Sequence, residues 1–212
     1  MKIVPMLRGA TQAMYAPAGP LLEEFHKHQE LLLPHTGLHI GETNLDIGCG
    51  TGLTSVIHQQ KLRISPTLCD VADLRHPLAK SFPFYPVQGA VLPFTIRSFR
   101  SSYVQYVLHH LSGPGAVFEL LGEALRVSSR VVIVEEIQGE KTDTSRAKLF
   151  DKEVNEKIHP NTDMPVVRYY SKQEITIALG RLGATLLTQT RIAEGDVENG
   201  FLETHVFIAS RC

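Results

Sequence analysis

The residues best suited to chemistry fall in a few short stretches of the 212-residue chain. Asp46-Ile47-Gly48-Cys49-Gly50-Thr51-Gly52 is a turn with glycine at alternate positions, behind an apolar run and ahead of a helical pattern. Glycine there lets the chain turn tightly and lets a ligand lie against bare backbone. The helix start beyond it presents unpaired N–H groups and the positive end of its dipole. A strand, a glycine turn and a helix in that order suit a nucleotide-like ligand. Asp70 closes the next strand, where a carboxylate can accept two hydrogen bonds from a ribose diol. Gln88, followed by Gly89, ends a third strand and offers an amide donor and acceptor to an adenine edge. His109 and His110 end a fourth, and strand alternation should turn one to the cleft and the other to the core. A histidine so placed can act as general base near neutral pH, although one that merely caps or packs fits either position equally well. Glu135-Glu136 closes a fifth strand at the same edge.

These residues need a framework that brings strand ends together. From residue 43 the pattern alternates strand and helix, which implies a parallel sheet with helical crossovers. Strands are expected at about 43–47, 64–70, 85–88, 103–108 and 130–135, with helices at about 51–61 and 113–126. Val71 to Ser81 is too short and too interrupted by proline for a full crossover helix. Residues 138–170 read as an irregular insertion with one helix near 145–157. Ser171 and Glu174 form a capping box that opens a helix to about 182, closed by Gly183. Two last strands, about 184–192 and 201–209, can pair as an antiparallel hairpin across the turn-forming stretch from Glu194 to Gly200. The expected fold is therefore α/β: a seven-stranded, mostly parallel Rossmann-like sheet with a C-terminal antiparallel hairpin and helices on both faces. Before it, Leu21 to Leu33 has helical spacing ended by Pro34 and Gly37, with a loose Pro/Gly/Ala-rich arm in front. We divide the chain into an arm and helix at 1–38 that cover the site, with Tyr15 placed to close over a ligand, and a core at 39–212.

Composition excludes several classes. Hydrophobic residues make up 43% and charged residues 20%, with a formal net charge of -1, so the basic footprint of a nucleic-acid binder is missing. No apolar stretch approaches the roughly 18 residues that span a bilayer. Pro5, Arg8 and Gly9 break any signal-peptide core. The three cysteines are widely spaced, with no CxxC pair. Neither a disulfide framework nor a metal site is expected, and a reducing cytoplasm is the default location.

Leu45-Asp46-Ile47-Gly48-Cys49-Gly50-Thr51-Gly52 resembles the first motif of class I S-adenosylmethionine-dependent methyltransferases. Val91-Leu92-Pro93-Phe94, Ser98-Phe99, Val107-Leu108-His109-His110-Leu111 and Glu123-Ala124-Leu125-Arg126-Val127 resemble the later motifs of the subgroup that includes the ubiquinone-biosynthesis methyltransferases. The resemblance covers roughly residues 43–136. It implies S-adenosyl-L-methionine as cofactor and transfer of its methyl to an unidentified, small-molecule acceptor. It also implies that Asp46, Gly48, Cys49, Gly50 and Gly52 hold the methionine part, Asp70 the ribose, and Gln88 with Gly89 the adenine. His110 or His109 is the implied base, with His159 a second candidate because the insertion after strand five often forms the acceptor pocket; Arg168, Tyr169 and Tyr170 could line it.

The chain departs from the pattern at Gln88 and at Arg100, where an acidic residue is usual, and at Ser128-Ser129-Arg130, where a Lys-Pro-Gly-Gly turn is usual. Two other readings stay open. A nicotinamide-dependent oxidoreductase uses the same sheet, but favours G-x-G-x-x-G over the G-x-G-x-G found here. A non-catalytic module that keeps the cofactor fold to bind a partner accommodates the Gln88 and Arg100 departures.

Overall fold

The computed structural model describes residues 20–139, 143–158, 165–195 and 202–211. Tyr15, His159 and the middle of the expected hairpin turn (196–200) lie outside the described residues. Helix α1 (Pro20–Leu32) is followed by β1 (Thr43–Ile47), α2 (Leu53–Leu62), β2 (Ser65–Asp70), β3 (Phe84–Pro86) and β4 (Ser101–Gln105). Then come α3 (Pro114–Val127), β5 (Arg130–Ile137), α4 (Ser145–Ile158), α5 (Lys172–Arg181), β6 (Ala184–Ala193) and β7 (Glu203–Arg211). The strands form one seven-stranded sheet in the order β3-β2-β1-β4-β5-β7-β6. β1 to β5 pair in parallel, and β7 runs antiparallel between β5 and β6. The expected fold class stands.

Alternation along β5 shows how the sheet is buried on both sides. Val131 and Ile133 face a core shared with Leu120, Leu121 and Leu125 of α3 and with Ile175 and Leu179 of α5. Val132 and Val134 face the other way, against Leu32 of α1, Tyr103 and Ile208. A strand buried on both faces reads as an unbroken apolar run, which is why Val131 to Val134 carries no polar residue. Ser171 Oγ accepts from the Glu174 N–H while the Glu174 carboxylate accepts from the Ser171 N–H, so the capping box that opens α5 is complete.

Two boundaries differ from the sequence reading. β4 ends at Gln105, not at Leu108, because Tyr106 adopts φ 55, a left-handed conformation that a strand cannot contain. Leu108–His110 is a 3-10 turn, so the two histidines are sorted by a turn and not by strand alternation. β3 is shorter than expected and ends at Pro86, which leaves Gln88 in the loop beyond it. Pro86, which cannot donate to a ladder, marks the end of β3, whereas no residue type marks the stop of β4 at Gln105.

The Leu92-Pro93-Phe94 string after β3 has a structural use. Arg126 donates to the carbonyls of Leu92 and Phe94, and Glu123 accepts from the Leu92 N–H, while the two side chains pair with each other. This clamps the Leu92-Pro93-Phe94 loop onto α3. Arg100 and Ser128-Ser129-Arg130 stand at the amino ends of β4 and β5, the sheet edge opposite the strand ends that carry Asp70 and Gln105. Arg130 there forms a largely buried ion pair with Glu42 at 2.9 Å. These departures therefore lie away from the edge where a ligand would bind.

Candidate functional site

The strand order reverses direction between β1 and β4, and ligands of open α/β sheets bind beyond the carboxyl ends at such a point. A cleft of about 410 Å³ opens there, within the range of small-molecule sites. Of the residues singled out in the sequence, Asp46, Gly48, Cys49, Gly50, Asp70, Gly89 and His110 line it. Gln88 is exposed and stands outside the lining, and His109 is buried behind it.

The glycine turn is shaped by its own packing. Gly48, Gly50 and Gly52 all have positive φ. A Cβ on Gly48 would lie 2.5 Å from a Val107 methyl, and one on Gly52 would lie 2.7 Å from Leu68 Cδ2 and 2.8 Å from Ala79 Cβ. At these two positions glycine admits protein side chains, not a ligand. The turn's N–H groups are also largely committed. Gly48 and Cys49 donate to the Cys69 carbonyl, Gly52 to the Cys49 carbonyl, and Gly50 to Asp70 Oδ2 at 2.7 Å. Backbone donors of the kind that cradle a diphosphate are thus already in use.

The electrostatics of the cleft are acidic. Asp46 is buried, with Ser55 of α2 donating to Oδ2 at 2.7 Å. Burial pushes its pKa up to about 7, against which the Ser55 bond acts weakly, and the nearby Asp70 adds to the rise. Asp70 is raised too by burial, opposed by backbone N–H donors from Gly50, Val71 and Ala72. Among the described residues of the lining there is no lysine or arginine to balance these carboxyls. The Cys49 and Cys69 thiols are held up by burial, which makes them poor nucleophiles.

One wall comes from residues the sequence reading missed. Phe25 of α1 lines the cleft; the Gln29 amide donates to Gln105 Oε1 at 3.3 Å, and His28 Nε2 lies 3.0 Å from the Tyr106 hydroxyl. Gln105 and Tyr106 themselves line the cleft, as does Pro165 from the insertion. A β4 ended three residues earlier would have put Gln105 at its carboxyl end and exposed it as a candidate. Tyr106, a bulky residue at positive φ, marks strain of the kind that gathers at functional sites.

The histidines differ. His110 Nδ1 lies 3.3 Å from the Pro165 carbonyl. A carbonyl only accepts, so Nδ1 carries the hydrogen of that bond and Nε2 is the basic nitrogen. His109 Nδ1 donates to Glu135 Oε1 at 2.6 Å, and Glu135 also accepts from the Leu108 and Glu136 N–H groups. Burial alone would lower the His109 pKa, but the Glu135 carboxylate, with Asp151 and Glu136 near it, outweighs that and raises it to about 9. Burial raises Glu136 to about 7. Tyr169 packs with Ala147 and Leu202, Tyr170 belongs to the main core, and Arg168 pairs with Glu174; none of the three lines the cleft.

No protein-family model matches the chain, and no curated protein matches it significantly in sequence. Solved structures do. A SAM-dependent methyltransferase from Methanosarcina mazei is 19% identical, with a TM-score of 0.65 over 84% of this chain and 96% of that one. The geranyl diphosphate C-methyltransferase of Streptomyces coelicolor, solved with Mg2+, geranyl diphosphate and S-adenosyl-L-homocysteine, is 12% identical, with a TM-score of 0.65 over 97% and 88%. The [4+2]-cyclase SpnF is 15% identical, with a TM-score of 0.68 over 99% and 92%. At such identities the likeness is one of fold, and the same fold carries a cyclase as well as methyltransferases.

Proposed function

We propose that the chain is an S-adenosylmethionine-dependent methyltransferase acting on a small-molecule acceptor. The observation that carries this reading is the charge of the cleft: Asp46 and Asp70 line it without a lysine or arginine among the described lining residues. An acidic cleft favours a cationic ligand, and S-adenosylmethionine carries a sulfonium and an ammonium against one carboxylate. A dinucleotide would bring a diphosphate to the same place, where Gly48, Cys49, Gly50 and Gly52 have already spent their N–H groups on protein acceptors. The nicotinamide reading is disfavoured on both counts.

The residues present fit the cofactor. Asp46 is a buried acid short of a counter-charge, which a ligand ammonium would supply. Asp70 takes backbone N–H groups from Gly50 on Oδ2 and Val71 on Oδ1, with Ala72 also near, and its two oxygens have about four acceptor sites, which leaves room for ribose hydroxyls. Val71, Val87 and Gly89 offer the apolar wall for the base. When bound, the cofactor supplies an activated methyl. The chain's own work is to orient the acceptor and exclude water. Phe25 and the α1 contacts to Gln105 and Tyr106 make α1 the cover of the site. His110 is the base we favour for an acceptor that must lose a proton, since it lines the cleft, whereas His109 is buried behind it with Nδ1 held by Glu135. The finer likeness to the ubiquinone-biosynthesis subgroup and a cytoplasmic location complete the proposal; among the described residues no helix is long and apolar enough to cross a membrane.

Thermal melting with S-adenosylhomocysteine, S-adenosylmethionine and NAD tests the assignment. At one hundred times Kd a ligand stabilises by about 2.7 kcal/mol, which raises Tm by about 5–10 °C for a chain of this size. A rise with the first two and none with NAD is expected. A rise with NAD alone would return the oxidoreductase reading, and no rise with any would return the non-catalytic module.

A further inference from the structure

We propose that His109, His110 and Asp151 form a binding site for a divalent transition metal in the wall of the cleft. Each of the three offers a ligand atom, and these atoms lie within 4.8 Å of one another. Bonds of about 2.1 Å place two ligands of a tetrahedral ion about 3.4 Å apart, so closure asks the widest pair to draw together by up to about 1.4 Å. The sequence could not show the set, because Asp151 comes from α4 in the insertion and the histidines from the turn after β4.

The second observation is His109 itself. Its Nε2 is buried and has no hydrogen-bond partner. The nearest carboxylate oxygen to it, Asp151 Oδ1, is 3.7 Å away, beyond a hydrogen bond. Leaving a buried ring nitrogen unmatched is costly, so a ligand that fills its lone pair would be stabilising. The other nitrogen, Nδ1, donates to Glu135 at 2.6 Å, and two backbone N–H groups hold Glu135 in place. This is the arrangement by which proteins orient a metal-ligating histidine: a carboxylate fixes one nitrogen and aims the other at the ion. The His110 ring lies 4.2 Å from the His109 ring, centroid to centroid, and lines the cleft.

Two imidazoles and one carboxylate suit zinc, manganese, iron or cobalt rather than magnesium or calcium, which prefer all-oxygen sites. Three protein ligands leave a position open for water or a ligand oxygen, and His110 puts that position at the cleft. Taken with the proposed function, the site selects an acceptor that carries an oxygen ligand, such as a hydroxyl or carboxylate, near the atom to be methylated. His110 would then be a ligand instead of the base. The metal site itself does not depend on methyl transfer.

The test is a Co2+ titration of the chelator-treated full-length chain, read by visible d–d absorption and by thermal melting. We expect one Co2+ per chain, displacement by Zn2+ and a raised Tm. Asp151→Asn and His110→Ala should each weaken binding at least about tenfold. His39→Ala, at an exposed histidine outside the cluster, should leave it unchanged. No absorption bands for the wild type at millimolar Co2+ would overturn the proposal whatever the variants do, and so would bands that persist unweakened in both folded variants. A wild-type chain that binds S-adenosylhomocysteine but no Co2+ would sink this site and leave the proposed function standing.

Discussion

Replacing Asp46 by asparagine separates the cost of the buried acid from its use. Asp46 is nearly inaccessible, one hydroxyl faces it, and burial raises its pKa from 3.8 to about 7. The folded value lies above the unfolded one, so the protonated form is the one that folding favours. Its contribution is fully present below about pH 3.8 and is lost as pH rises to about 7, where the folded protein must carry a buried charge. A shift of about three units at 1.36 kcal/mol each gives about 4 kcal/mol across that window. Asp46→Asn removes the ionisation and keeps an oxygen for Ser55 Oγ. Urea unfolding of wild type and variant at intervals from pH 4.5 to 8 should show the variant gaining relative stability as pH rises, by about 3 kcal/mol over the part of the window sampled, and levelling off above pH 7. The same variant should bind S-adenosylhomocysteine more weakly, because the counter-charge for the ligand ammonium is gone. A stability difference that stays flat across the series, or an asparagine variant less stable than wild type at pH 8, would refute the reasoning.

Three further outcomes follow from the packing. Gly52→Ala places a Cβ 2.7 Å from Leu68 and 2.8 Å from Ala79 at φ +70, so left-handed strain and overpacking together should cost about 2–5 kcal/mol in urea unfolding. Arg130→Met leaves Glu42 buried without its partner and should cost about 3 kcal/mol, while the affinity for S-adenosylhomocysteine stays unchanged, because the pair sits at the opposite edge of the sheet. Ser171→Ala breaks the capping box of α5 and should cost about 1 kcal/mol by the same assay.

The bounds of β1, the seven strands and the hairpin were legible because each rests on local signals: alternation, a glycine turn, a capping box. The functional groups were only half legible. Asp46 and Asp70 follow directly from the ends of β1 and β2. Gln105 was hidden because Tyr106 leaves the strand by a backbone conformation that no residue type announces. The roles of His109 and His110 depend on Glu135 and Pro165, partners far along the chain, and two rings that look equally basic in the sequence are set apart by the buried carboxylate that holds one of them. Gly48 and Gly52 were legible as glycines, but their reason was not, since the atoms they accommodate belong to Val107, Leu68 and Ala79. Arg100 and Ser128-Ser129-Arg130 read as departures from a pattern, and three-dimensional placement moves them to the edge away from the cleft.

Calorimetric titration of the full-length chain with S-adenosylhomocysteine tests the central claim most directly. One saturable site per chain, with Kd in the micromolar range (about −8 kcal/mol at 1 μM), is the predicted result. The absence of heat and of any Tm shift up to millimolar ligand would contradict it.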